Sequence, residues 1–287
     1  MSLDHSPNYN NLFLHIGLQK TGTTFLQEAV FPYWRGIQYI RNDNLERLLR
    51  IDTDKPVLLS REGLSGQIWA HHDTRERSIS RLAQLFPNAR IILSLRKHSK
   101  YIASVYCQYL HRGGHLKFDK FFDPHGNTGY MKIDDFRFDL KLEAVQQHFG
   151  RSPFVFFQEE LRNGLEALLR DMEGFIGGEA PALSEIKEKK YNAGVKYHPA
   201  ILLRFLNRYS RSELNPQGKL PLYHWRLQRL KLDPRSICQY WLKFAPKRPI
   251  IPIELSEYID ALYNEDLKLA QSLADARNSL EKSNAVN

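Results

Sequence analysis

The chain has 287 residues, 42% hydrophobic and 12% aromatic, long enough to bury one large globular core. Its 41 Lys and Arg against 32 Asp and Glu give a net charge of +9, which favours anionic partners. No apolar run approaches the roughly 20 residues of a spanning helix, and the two cysteines, Cys107 and Cys238, are too few for a disulfide framework and fit no metal site.

In chain order, residues 12–16 (Leu-Phe-Leu-His-Ile) read as a short buried strand cut off by Gly17. From Gly22 the pattern is helical, with Phe25, Leu26, Ala29 and Val30 on one face and Pro32 at its end. Residues 37–40 read as a strand, 44–50 as a helical turn or two, and 57–60 as a buried strand with the polar tip Arg61-Glu62-Gly63. A helix over 73–86, capped by Asp73 or Thr74, leads to the clearest core strand, 90–95, and then to a helix over 98–110. Residues 116–132 read as an irregular loop, 134–149 as a helix closed by Gly150, 153–158 as a strand, and 160–177 as helix. Beyond a charged linker over 178–198 the chain reads as mostly helical, over 201–209, 225–232, 236–244 and 254–273. Strands alternating with helices predict an α/β fold, a P-loop-like parallel sheet flanked by helices, with a mostly helical C-terminal part. The expected organisation is one domain over 1–287, with an α/β core over 12–178 and a mainly helical part over 179–287 that serves as a lid or binding part.

The turn after the first strand carries the chemistry. A strand, a glycine-bounded turn and a helix aim backbone N–H groups and a helix dipole at one point, where a phosphate fits. Gly17 and Gly22 have the spacing of a nucleotide-binding P-loop, but Thr23 holds the position of its Lys, and the cation, Lys20, lies inside the loop. Gln19, Lys20, Thr21, Gly22, Thr23 and Thr24 are the candidate anion-binding residues. The arrangement suits one nucleotide phosphate bearing a reactive group better than a triphosphate with magnesium.

The segment His15-Ile16-Gly17-Leu18-Gln19-Lys20-Thr21-Gly22-Thr23-Thr24 resembles the 5′-phosphosulfate loop of the sulfotransferases that use 3′-phosphoadenosine 5′-phosphosulfate (PAPS), in particular the bacterial branch acting on carbohydrates and small acceptors. A second segment, residues 91–106, is similar to the family's 3′-phosphate site, which implies that Arg96 and Ser104 take that phosphate. Residues 153–177 resemble the family more weakly. The resemblance implies a catalytic Glu just past the second main strand, here Glu62, as the base that takes the acceptor proton. His111 is the alternative base.

The expected function is therefore sulfuryl transfer from PAPS, without a metal, to a hydroxyl of a sugar or glycolipid. Lys20 is expected to stabilise charge on the leaving oxygen. The expected location is the cytoplasm; peripheral membrane contact is compatible with the sequence. Two other readings stay open: a P-loop kinase using ATP, and a non-enzymatic basic module binding glycan or nucleic acid. The absence of zinc-finger, RNA-recognition or basic-zipper signatures lowers nucleic acid as a partner.

Overall fold

A computed structural model of the chain describes residues 11–41, 54–69, 71–186, 197–223, 225–241 and 248–284. The helical turn expected over 44–50 and the charged stretch with Lys187, Lys189 and Lys190 lie outside the described residues. The chain divides into two compact units. The first comprises Met1–Lys97, Arg137–Tyr191 and Asn264–Asn287, and the second His98–Phe136 and Asn192–Tyr263.

The first unit is built on five parallel strands: β1 (Leu12–His15), β2 (Gln38–Arg41), β3 (Val57–Ser60), β4 (Arg90–Leu95) and β5 (Phe154–Phe157). Their order is β2-β3-β1-β4-β5. Strands buried on both faces need near-continuous apolar runs, and β1, β3, β4 and β5 have them, whereas the edge strand β2 (Gln-Tyr-Ile-Arg) buries only Ile40. The chain leaves β1 toward the β2 side of the sheet and leaves β4 toward the β5 side. β1 and β4 are neighbours, so their connections diverge, the arrangement at which open α/β sheets place ligands, outside the carboxyl ends of the strands.

One face of this sheet is covered by the chain after β1 and by α7 (Leu165–Ile176), around Phe13, Leu58, Ile92 and Phe154. The chain after β1 is helical in three styles: α1 (Thr23–Phe25), a π-helical stretch over Leu26–Val30, and a 3-10 turn over Phe31–Tyr33 that contains Pro32. Elsewhere in this unit α2 (His72–Leu85) packs on α5 (Asp139–Phe149), and the C-terminal helix α12 (Asn264–Asn284) lies on α5 and β5.

Some element boundaries differ from expectation, two of them where partners remote in sequence intervene. His71 occupies the N-cap position of α2 without a side-chain capping bond, and Asp73 and Thr74 lie inside the helix. The helix expected over 134–149 breaks into a 3-10 turn, Asp134–Phe136, and α5, because the Asp266 carboxylate accepts Phe138 N–H and Asp139 N–H at 2.7 Å each. The stretch expected to be one helix over 254–273 is two, α11 (Ile253–Leu262) and α12, broken at Tyr263. Tyr263 stacks on His98 at 4.4 Å and donates to the Ile133 carbonyl at 2.9 Å.

In the second unit α3 (His98–His111) packs against α8 (Tyr197–Tyr209) and α11. The 116–132 region, expected to be irregular, contains a helical turn, α4 (Phe118–Phe121), and a bridge between Phe122 and Met131. Phe121 and Phe122 are fully buried there, so aromatic burial imposes order on a glycine-containing stretch. No helix among the described residues is long and apolar enough to cross a membrane.

Candidate functional site

On the face covered by α7, the sheet changes character near its carboxyl end. Phe13, Leu58, Ile92 and Phe154 belong to one apolar cluster, and two residues further along β1, β3 and β4 stand His15, Ser60 and Ser94. All three are buried. Buried polar groups need partners, and theirs tie neighbouring segments together. His15 Nδ1 lies 2.7 Å from Ser60 Oγ, which also accepts from Gln27 Nε2 at 3.0 Å. Ser94 Oγ lies 2.6 Å from Thr21 Oγ1, and Thr21 Oγ1 donates to the Leu18 carbonyl at 2.5 Å.

The 17–24 loop rests on this layer. A Cβ at Gly17 would lie 2.1 Å from Ser94 Oγ and 2.9 Å from His15 Nε2, so only glycine lets the chain pass this close. His15 Nε2 has no hydrogen-bond partner among the described residues. Burial pushes the His15 imidazole down from 6.5 to about 3, and it is neutral at neutral pH. Lys20 (φ 72°) and Gly22 (φ 92°) are both left-handed, which folds the loop back before α1 begins. Gly22 sits against Gln158 and Leu161, just beyond β5.

The turn after β3 abuts the same loop. Arg61 N–H donates to the His15 carbonyl at 3.2 Å, and Ser65 Oγ donates to the Ile16 carbonyl at 3.0 Å. A Cβ at Gly63 would stand 3.4 Å from Gln19 Nε2. Most directly, the Thr23 hydroxyl donates to the Glu62 carboxylate. From β4 the Arg96 guanidinium reaches across, Nη1 donating to the Lys20 carbonyl at 3.3 Å.

The expected residues therefore divide into groups. Gln19, Lys20, Gly22, Thr23, Glu62 and Arg96 come together around the loop, within the first unit. Thr21 is fully buried with its hydroxyl turned inward, so it braces the loop and offers an anion only its backbone N–H. Thr24 is partly exposed in α1. Ser104 is a half-buried residue of α3 in the second unit, and His111 ends that helix.

The supporting layer of His15, Gln27, Ser94 and Ser65 is absent from the sequence-based expectation. A legible signal existed: single polar residues interrupting apolar strand runs, His15 in Leu-Phe-Leu-His-Ile and Ser94 in Ile-Ile-Leu-Ser-Leu, both near carboxyl ends. Among the described residues no cluster of three or more His, Cys, Asp or Glu side chains forms a metal-binding group.

No protein-family model matches the chain, and no curated protein matches it in sequence. Two solved structures are similar to it. One is a sulfotransferase from Alicyclobacillus acidocaldarius (TM-score 0.44, 14% identity), in a match covering 75% of this chain and 98% of that one. The other is mouse sulfotransferase SULT7A1 complexed with PAP (TM-score 0.41, 14% identity), in a match covering 93% of this chain and 89% of that one.

Proposed function

We propose that the chain is a sulfotransferase that uses PAPS and sulfates a hydroxyl of a carbohydrate or glycolipid. The observation that carries this reading is the convergence of the 17–24 loop, Glu62 and Arg96 at the carboxyl ends of the adjacent strands β1, β3 and β4. A glycine-bounded loop with two left-handed residues, an internal Lys and a hydroxyl-bearing helix start fits a nucleotide phosphate. The Arg96 guanidinium, one strand over, fits a second phosphate on the same nucleotide.

When bound, PAPS supplies a sulfuryl group whose bond to a 5′-phosphate oxygen breaks as the bond to the acceptor oxygen forms. In this reading the loop N–H groups, Thr23 and Thr24 hold the 5′ end, and Arg96 holds the 3′-phosphate, the role that the sequence resemblance also gives to Ser104. Lys20 offsets the negative charge that grows on the departing phosphate oxygen. Glu62 takes the proton from the acceptor hydroxyl. The reading needs no metal, and it carries with it a cytoplasmic location. Thr23 in the position of the P-loop Lys argues against a magnesium–ATP enzyme.

The test is calorimetric titration with adenosine 3′,5′-bisphosphate (PAP) against ATP plus magnesium. Selective binding of PAP is the expected result. Binding of ATP and magnesium without PAP would overturn the assignment and favour a kinase.

A further inference from the structure

The Thr23 hydroxyl has two claimants. A hydroxyl carries one proton and can donate it to one acceptor at a time. In the structure that proton goes to Glu62. In the functional reading above, on which this inference rests, the same hydroxyl donates to the cofactor's 5′-phosphate. Thr23 is buried, only 2% exposed, which limits where its side chain can turn, and its Cγ2 faces Gly17, where a Cβ would lie 3.0 Å away. As a β-branched residue it has few rotamers to offer. The two demands cannot both be met.

We propose that Thr23 makes Glu62 a cofactor-gated base: the carboxylate competes with the cofactor's 5′-phosphate for the Thr23 hydroxyl and becomes available to the acceptor only when that phosphate takes the hydroxyl. Thr23 is thus a positioning residue for Glu62. Before the cofactor arrives, the carboxylate is satisfied and turned toward the loop. Once the phosphate claims the hydroxyl, the Glu62 carboxylate oxygen that held it is open to accept the acceptor's hydroxyl proton. The turn carrying Glu62 is held in place at both ends, Arg61 N–H donating to the His15 carbonyl and the Ser65 hydroxyl to the Ile16 carbonyl. A compulsory order follows, cofactor before productive acceptor.

The test is the affinity of the intact protein for PAP, measured calorimetrically in a double-mutant cycle. Glu62→Gln removes the competing charge and is expected to tighten PAP binding about tenfold, the scale of one charge-assisted hydrogen bond. In the Thr23→Val background the same change is expected to have no more than about a twofold effect, whereas Thr23→Ser, which keeps the hydroxyl, retains most of the gain. The gain is also expected to persist in roughly 0.5 M salt, where repulsion between solvent-exposed charges is screened. An unchanged or weakened affinity in Glu62→Gln overturns the proposal. So does a gain that is undiminished in Thr23→Val, or one that disappears at high salt. PAP binding that is present but indifferent to Glu62 overturns the gate alone. Failure of the unmutated protein to bind PAP overturns the functional reading, and the gate with it.

Discussion

Arg96 Nη1 donates to the Lys20 carbonyl at 3.3 Å, so the cation at the end of β4 also shapes the loop that follows β1. Lys20 is left-handed, a conformation that costs a non-glycine residue about 1–2 kcal/mol and needs support from its surroundings. Arg96→Ala is therefore expected to weaken PAP binding by roughly 10- to 100-fold, combining a lost charge-assisted phosphate contact with a looser loop. Arg96→Lys is expected to restore only a small part, because a point charge cannot fork to two acceptors. Calorimetry on the three proteins decides; equal affinities would remove Arg96 from the site.

Glu62 and Lys20 are expected to separate binding from turnover. Glu62→Gln should lower kcat by about 10²–10⁴ through loss of the proton acceptor, with no loss of PAP affinity. Lys20→Ala should lower kcat by a comparable factor while PAP binding remains measurable, because its charge matters most where negative charge grows. The measurement is transfer of labelled sulfate from PAPS to a panel of hydroxyl acceptors, beside PAP titrations of each variant. Near-normal turnover in Glu62→Gln would sink the base assignment.

His15 makes stability depend on pH. Its folded value, about 3, lies below the ordinary 6.5, so between those limits the unfolded chain binds the extra proton. The stabilisation is present above about pH 6.5 and is lost as pH falls, at roughly 1.4 kcal/mol per unit. From pH 7 to pH 5 this amounts to roughly 2 kcal/mol, in a range where most carboxylates stay ionised. His15→Asn keeps a hydrogen-bonding group near the Nδ1 position for Ser60 and removes the titration. Urea unfolding at the two pH values should show a clearly smaller difference for the variant; the same difference in both would mean that His15 is solvated.

The strands were legible because parallel strands covered on both faces leave apolar runs, and the run at 90–95 matches β4 residue for residue. The loop was legible because Gly17, Lys20 and Gly22 are a local pattern. The layer beneath it was harder to read. His15 and Ser60 are adjacent only through the β1–β3 register, and Gln27 meets them only because the π-helical stretch carries it over the sheet. The break at Tyr263 and the split before α5 were hidden for the same reason: the partners that cause them, His98, Ile133 and Asp266, are remote in sequence.

Gly22→Ala should destabilise the protein by about 2 kcal/mol, mostly through the backbone. At φ 92° an L side chain is strained wherever it points, at about 1–2 kcal/mol. The new Cβ would also stand 2.5 Å from Leu161 Cδ1. That atom ends a flexible side chain and can move. Adding Leu161→Ala should therefore recover less than half of the loss beyond its own cost, as read from denaturant midpoints. Full recovery would place the cost in the contact instead of the backbone.

Arg277 should prove the strongest single link between α12 and the sheet. Its Nε donates to Asp171 Oδ2 at 2.9 Å, Nη1 to the Val155 carbonyl at 2.5 Å and Nη2 to Glu160, while the guanidinium lies 5.1 Å from the Phe154 ring centroid. The side chain is only 11% exposed and Asp171 14%, so the pair is shielded from water and salt. Arg277→Met keeps the apolar stem but leaves Asp171 and Glu160 with no cation between them. A loss of about 3 kcal/mol is expected, because an uncompensated buried charge costs more than the pair it came from. Asp171→Asn in that background should recover part of the loss by removing the stranded charge. A loss below about 1 kcal/mol, the range of exposed ion pairs, would show that water reaches the cluster.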